Sequence, residues 1–321
     1  MRSVVKVFLL PVLLVFAANV YAAGYAPSGV KMELKQVSRH AWYVQGEAGI
    51  ATDNEGFISN AGVVITDAGV VVFDALGSPS LAQQLLQEIR KLTDKPIKRV
   101  IVSHYHADHI YGLQVFKDAG AEIHAPGGAS EYLSSPAASE RLEERQFSLS
   151  PWVNEQTRLV APDHYLDKGF SFTLGGVKMT VSVVGAAHSD GDLTLYVEND
   201  RVLFSGDIIF EGRVAFLGDA DTRHWLNTLQ KMETAGLAVL VPGHGPVASE
   251  PNQSITQTRR YLSFLRETMQ AAVKELQSFD EVYATTDWAE FEGLPAFKEA
   301  NRRNAYQVFL SIEREALSGM N

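Results

Sequence analysis

Three of the nine histidines stand together in the run Ser103-His104-Tyr105-His106-Ala107-Asp108-His109. The spacing His-x-His-x-Asp-His is a pattern of metal donors. It follows Arg99 to Val102, a β-branched segment that reads as a strand, and at a strand end the period of two points His104 and His106 the same way. Asp108 and His109 then open the next turn or helix and face a second point. One ion would be crowded by four such donors, whereas two adjacent ions share them. The chain has no cysteine, so imidazole and carboxylate must hold any metal, and neither a disulfide nor a cysteine nucleophile is available.

Three further donors end other candidate strands, each among small residues. His188 lies in Gly185-Ala186-Ala187-His188-Ser189-Asp190-Gly191-Asp192, after Val177 to Val184. Asp207 lies in Ser205-Gly206-Asp207, after Val202 to Phe204, and His244 lies in Pro242-Gly243-His244-Gly245-Pro246, after Ala238 to Val241. The glycines permit tight turns and close approach of the backbone to an ion. His40, His124, His164 and His224 lack such a context and read as structural or solvent-exposed. Asp190 and Asp192 read as turn formers.

The elements that must position these donors are short. From Lys31 to about Val102, Ala41 to Val44, Gly62 to Ile65 and Gly69 to Phe73 read as strands of a meander. Ser80 to Leu92 carries Leu81, Leu85, Ile89 and Leu92 at helical spacing behind Ser80 as cap, and Lys98 to Val102 returns to strand. Strand, helix and strand imply a parallel crossover and an α/β fold, in which ligands gather at the C-terminal strand ends. Glu131 to Val160 is polar with helical stretches. A second strand-rich half runs from Phe170 to Val241, with a helix from His224 to Ala235 carrying Trp225, Leu226, Leu229 and Met232. From Ile255 to Ala316 the tail is helical, and Leu262, Leu265, Met269, Val273 and Leu276 form an apolar stripe for packing or for a homodimer.

The 321 residues, 46% apolar and 21% charged, have the composition of a soluble globular protein, which excludes disordered, collagenous and multi-pass membrane classes. A formal charge of -10 opposes binding to phosphate backbones, so no nucleic acid is expected as partner. At the start, Arg2 and Lys6, the apolar run Val7 to Ala18 and Val20-Tyr21-Ala22 read as a signal peptide over residues 1–22. The mature protein is then periplasmic or secreted, with no membrane span.

With these motifs in this order, the chain from about Lys31 to Ser249 resembles the metallo-β-lactamase fold superfamily. The resemblance implies an αββα sandwich over residues 31–250, followed by a C-terminal helical extension over residues 251–321. It implies a first metal on His104, His106 and His188, a second on Asp108, His109 and His244, and Asp207 as the bridge between them. Asp74, ending the strand Val70 to Phe73, matches the family aspartate that orients ligands. Two zinc ions are the default, and iron or manganese suits the same donors.

Such a pair of ions lowers the pKa of a shared water and so provides a nucleophile, while Asp108 acts as the catalytic carboxylate. Hydrolysis of an ester, thioester, lactone or amide in a small molecule is the reaction class. Tyr105 or Tyr111 can donate to the oxyanion. True zinc β-lactamases usually carry cysteine or serine where Asp207 stands, so this chain is more similar to the glyoxalase II, lactonase and sulfatase branches. The basic residue of one lactamase subclass is replaced by Phe210, with Arg213 as substitute for binding a substrate anion. A Gly pair common after the motif is replaced by Ile110-Tyr111-Gly112. Gly212 to Asp221, Trp225 and Asn60-Ala61-Gly62 look like exported hydrolases attached to quinoprotein and sulfur-oxidation systems. Competing readings are a mononuclear iron oxidoreductase of the persulfide dioxygenase type and a metal-bearing accessory protein of a periplasmic redox system.

Overall fold

A computed structural model describes residues 24–232, 236–248 and 250–319, and the expected signal peptide lies outside them. Strands Lys35–Gln36 (β1), Ala41–Val44 (β2), Ala61–Thr66 (β3) and Gly69–Phe73 (β4) form the antiparallel meander. Helix Pro79–Leu92 (α1) carries the chain across to Ile97–Ile101 (β5), which lies parallel to β4. Helices Ala107–Ile110 (α2) and Leu113–Asp118 (α3) lead to strand Glu122–Pro126 (β6). Ala129–Ser134 (α4) and Pro136–Ser148 (α5) then lead to His164–Leu166 (β7). Both strands add in parallel, giving a seven-stranded sheet in chain order from β1 to β7.

Strands Phe170–Leu174 (β8), Val177–Gly185 (β9), Asp192–Val197 (β10) and Val202–Phe204 (β11) form an antiparallel second sheet. Helix Thr222–Met232 (α6) returns the chain to Val239–Val241 (β12), parallel to β11. Pro251–Lys274 (α7), Phe279–Thr285 (α8) and Phe297–Ser318 (α9) follow. None of the helices among the described residues is long and apolar enough to cross a membrane.

The pleat sends alternate residues to different cores. Val63, Val70, Val72 and Val100 meet Leu81, Leu85 and Ile89 of α1 on the outer face. Val64, Val71, Phe73 and Ile101 meet Met179, Val181, Leu193 and Leu195 of the other sheet. Covered on both faces, these strands must be apolar throughout, which is why they read as continuous Val and Ile runs. On the far side, Leu203 and Leu240 pack beneath Trp225 and Leu229 of α6 and the helices that follow. The layers are therefore helix, sheet, sheet, helix, with a C-terminal helical region in the last.

Several local expectations shift. Ser78 caps α1 instead of Ser80: its hydroxyl oxygen accepts the Leu81 N–H at 3.2 Å, and Pro79 takes the first helical position. Proline suits that place because its missing N–H would be unpaired there anyway. The helix expected from His224 to Ala235 begins at Thr222, and its last three residues are not described. β6 and β7 escape a pattern search because EIHAP and HYL are short and partly polar. In the tail, Leu262, Leu265 and Met269 are buried against α6, α8 and α9, so the stripe is used within the chain. Leu276 departs from it. It lies past the end of α7 at φ 56° and is exposed.

Candidate metal centre

The two sheets bring all seven candidate donors to one place. His104 and His106 follow β5, Asp108 and His109 start α2, His188 follows β9, Asp207 follows β11 and His244 follows β12. In a first group, His106 Nδ1 lies 2.9 Å from His104 Nε2 and 3.0 Å from His188 Nε2. Asp207 Oδ2 lies 3.3 Å from His188 Nε2 and 3.9 Å from His104 Nε2. In a second group, Asp108 Oδ2 lies 3.5 Å from His109 Nε2 and 3.3 Å from His244 Nε2. Asp207 joins the two, with Oδ1 3.3 Å from His109 Nε2 and Oδ2 3.2 Å from His244 Nε2.

These distances fit metal ions. Tetrahedral ligands at ordinary zinc bond lengths stand about 3.3 Å apart; the distances above lie on both sides of that value in the first group, from 2.9 to 3.9 Å, and close to it in the second, from 3.2 to 3.5 Å. Hydrogen bonding alone leaves donors stranded: His109 Nε2 and Asp207 Oδ1 are buried with no hydrogen-bond partner. Each group offers ligand atoms within 4.8 Å of one another, three imidazoles and a carboxylate in one, two imidazoles and a carboxylate in the other.

The electrostatics point the same way. Burial, reinforced by the neighbouring imidazoles, holds His104 well below the ordinary histidine value. Burial lowers His106 too and pushes His188 down to about 3. The first group is therefore neutral imidazole, the form that binds metal. Burial opposes charge on Asp108 and Asp207 as well, but the surrounding histidines outweigh it and hold both well below the usual carboxylate range. His109 and His244 are raised against their own burial by Asp207 and Asp108. The second group thus attracts positive charge, and a divalent ion bound there would take the place of those protons.

Three of the imidazoles are held by groups around them, while His188 Nδ1 is buried with no hydrogen-bond partner. Asp74, buried and at φ 64°, accepts the Ser103 N–H at 2.6 Å and the Ser103 hydroxyl at 2.8 Å, and lies 2.9 Å from His109 Nδ1. Ser103 Oγ in turn lies 2.8 Å from His104 Nδ1, so one aspartate orients an imidazole of each group. His244 Nδ1 lies 2.7 Å from the Ile58 carbonyl oxygen, and the Asn60 amide donates to the carbonyls of Pro242 and Gly245, both at 2.8 Å. Asp192 accepts the N–H groups of Ala187 and Ser189, holding the turn that carries His188. Two glycines are sterically required. At Gly206, φ 53°, a Cβ would meet Ser103 Cβ at 2.5 Å, and at Gly243 it would meet Asp207 Oδ1 at 2.0 Å.

Asp74 thus makes contacts that orient His109 and Ser103. Asp190 lies in the bend after β9, but Asp192, read as a turn former, instead opens β10 as the register partner of Gly185. Ser103 and the Ile58 carbonyl were not anticipated. Phe210 has a positive role: its ring stacks on His244, centroids 5.3 Å apart and planes 2° from parallel. Tyr105 and Tyr111 do not join the cluster. Alternation turns Tyr105 away from its histidine neighbours into the outer core, where its hydroxyl donates to the Val160 carbonyl at 2.7 Å, and Tyr111 packs in the same core. Arg213 is buried, its Nε and Nη2 without hydrogen-bond partners. Burial lowers its pKa, while Asp207 and Asp108 are near enough to oppose that shift. Of the remaining histidines, His40 Nδ1 lies 2.9 Å from Asp200 Oδ1 and His224 Nε2 lies 3.1 Å from the Val184 carbonyl oxygen.

Comparison with known proteins agrees with this geometry. The family model described as the metallo-beta-lactamase superfamily matches residues 54–244. A Beta-lactamase-like protein 2 homolog of Caenorhabditis elegans is 23% identical over 243 residues, covering 72% of this chain and 72% of that protein. Among solved structures, a metallo-beta-lactamase from Pontibacter korlensis aligns with a TM-score of 0.57 at 20% identity, over 73% of this chain and 99% of that one. The inverting sec-alkylsulfatase Pisa1 from Pseudomonas sp. aligns with a TM-score of 0.66 at 18% identity, over 87% of this chain and 50% of the sulfatase.

Proposed function

The chain belongs to the metallo-beta-lactamase superfamily, and from that premise we propose that it is a binuclear metallohydrolase cleaving an ester, thioester, lactone or amide bond of a small molecule. The observation that carries this reading is the pair of adjacent donor groups joined by the two oxygens of Asp207. Two divalent ions bound there, zinc by default and iron or manganese by the same donor chemistry, supply Lewis acidity and draw the pKa of a water towards neutrality.

The side chains divide the remaining work. His104, His106 and His188 would hold one ion, and Asp108, His109 and His244 the other, with Asp207 between the two groups. Asp108, its side chain 21% exposed, is the carboxylate open to solvent. Ionised at neutral pH, it would accept a hydrogen bond from the attacking water and hold it in place. Asp74 and Ser103 keep the imidazoles of His109 and His104 aimed. Arg213 offers unpaired N–H groups beside this centre and suits a carboxylate or sulfate on the substrate. A persulfide dioxygenase-type reaction needs one metal only, and the complete second group of Asp108, His109 and His244 speaks against it. The signal peptide read in residues 1–22 supports a periplasmic or secreted setting, which N-terminal sequencing of the mature protein tests.

A hydrolysis screen over nitrocefin, lactones, glutathione thioesters and alkyl sulfates, run beside the His106→Ala variant, tests the reaction. Turnover of one class by the parent chain, lost together with metal in the variant, is the expected result. Unchanged metal content and turnover in His106→Ala contradict it.

A further inference from the structure

The far edge of the seven-stranded sheet carries another set of donors. Glu122 and His124 are two apart on β6, so the pleat puts both on one face. His164 opens β7 and is the register partner of His124. The two imidazole rings stack with centroids 4.5 Å apart and planes 22° from parallel. His124 Nε2 lies 3.8 Å from Glu122 Oε2, and one ligand atom from each of the three residues lies within 4.8 Å of the others. His124 is only 6% exposed, yet neither of its ring nitrogens has a hydrogen-bond partner. A buried polar group in that condition is unfavourable unless something else satisfies it.

We propose that Glu122, His124 and His164 form a separate divalent metal site of the zinc type, which ties the edge strand β7 to β6. Two imidazoles and one carboxylate are the protein donors of open zinc sites, and they select zinc, nickel or copper over magnesium or calcium. Closing round an ion needs Glu122 Oε2 drawn towards His124 by about 0.5 Å to reach the tetrahedral spacing, and the exposed His164 ring turned out of its stack, because an imidazole lone pair lies in the ring plane. Both movements are available because Glu122 and His164 are exposed, and the same exposure admits the ion. Burial, with His164 and Arg99 nearby, pushes His124 down to about 4 and leaves its nitrogens free of extra protons. Arg99 is the competitor: its Nε lies 3.6 Å from Glu122 Oε2, and its guanidinium rests over Phe172. An entering ion must share or displace that contact. The site has no residue in common with the Asp207 centre. His124 is level with Ile101 on β5, three positions before His104.

The test uses the protein with its retained metal in place. After dialysis to constant metal content, zinc chloride is added and uptake is measured by equilibrium dialysis with elemental analysis. The parent chain takes up one further zinc, and both His164→Ala and Glu122→Gln lose that uptake while keeping the retained metal. Both substitutions fall on exposed side chains and leave the cores intact. A second readout is melting temperature, which rises with added zinc in the parent and not in the variants. Equal uptake by the parent and His164→Ala, or none beyond the retained metal in the parent, overturns the proposal.

Discussion

Two clusters of imidazole and carboxylate differ in what surrounds the donors: one lies where strand ends of both sheets meet, the other on β6 and β7 at the edge of the seven-stranded sheet. At the Asp207 centre, His109, His104 and His244 each have the second ring nitrogen beside an oxygen, from Asp74, Ser103 and Ile58 respectively, and His188 alone among the four has its Nδ1 without a partner. At the sheet edge His124 has no such partner, and the other two donors face solvent. The lesson is that donor identity does not make a tight centre by itself. Ligands whose direction is fixed beforehand lose little freedom on binding, whereas exposed side chains must be ordered by the ion. On this contrast the Asp207 centre should retain metal through dialysis, and the edge site should exchange it.

The sharpest way to break this comparison is to remove the bridge. Asp207→Ala should lower turnover by about 10³-fold or more, with metal lost from both groups, and a variant that retains all its metal would deny Asp207 that role. Next in size is the orienting aspartate. Asp74→Asn keeps every donor, yet should weaken metal affinity by about 10–100-fold, measured by competition with a chromogenic chelator. If affinity does not change, the ordering of ligands is not what separates the two clusters. Arg213→Ala should raise KM for an anionic substrate by about tenfold or more, with kcat less affected, because the guanidinium acts on bound substrate rather than on the reacting bond. Steady-state kinetics against a neutral analogue separates that from general damage.

A smaller effect concerns the turn under His188. Burial pushes the Asp192 carboxyl up to about 7 from an ordinary 3.8. Between those values the folded chain keeps a proton that the unfolded chain has released, so this group's contribution to stability falls as pH rises from about 4 to 7. Urea midpoints at pH 5 and pH 7.5 should differ less in Asp192→Asn than in the parent. An unchanged difference would show that the carboxyl ionises normally.

The sequence makes the Asp207 centre legible because its signals are local. His104 to His109 spans one strand end, and the other donors stand close to glycines, of which Gly206 and Gly243 have a steric reason to be there. The layer order follows from continuous apolar strands and the crossover helix. What remained hidden depends on contacts distant in the chain. The Ile58 carbonyl that orients His244 is 186 positions away, and the stacking of His124 on His164 exists only because β6 and β7 pair. Ser103 was visible as a neighbour of the motif, but its link to Asp74 requires β4 and β5 to be parallel. Tyr105 is a different case, since the alternation that aims His104 and His106 into the cleft also sends the residue between them into the core.

The central claim is that one buried centre holds two ions joined by Asp207. The most direct measurement is the metal content per chain of protein prepared with zinc, then dialysed exhaustively against metal-free buffer. Two retained ions per chain, both removed by Asp207→Ala, are what this account predicts. A single retained ion, or two that survive loss of Asp207, would contradict it.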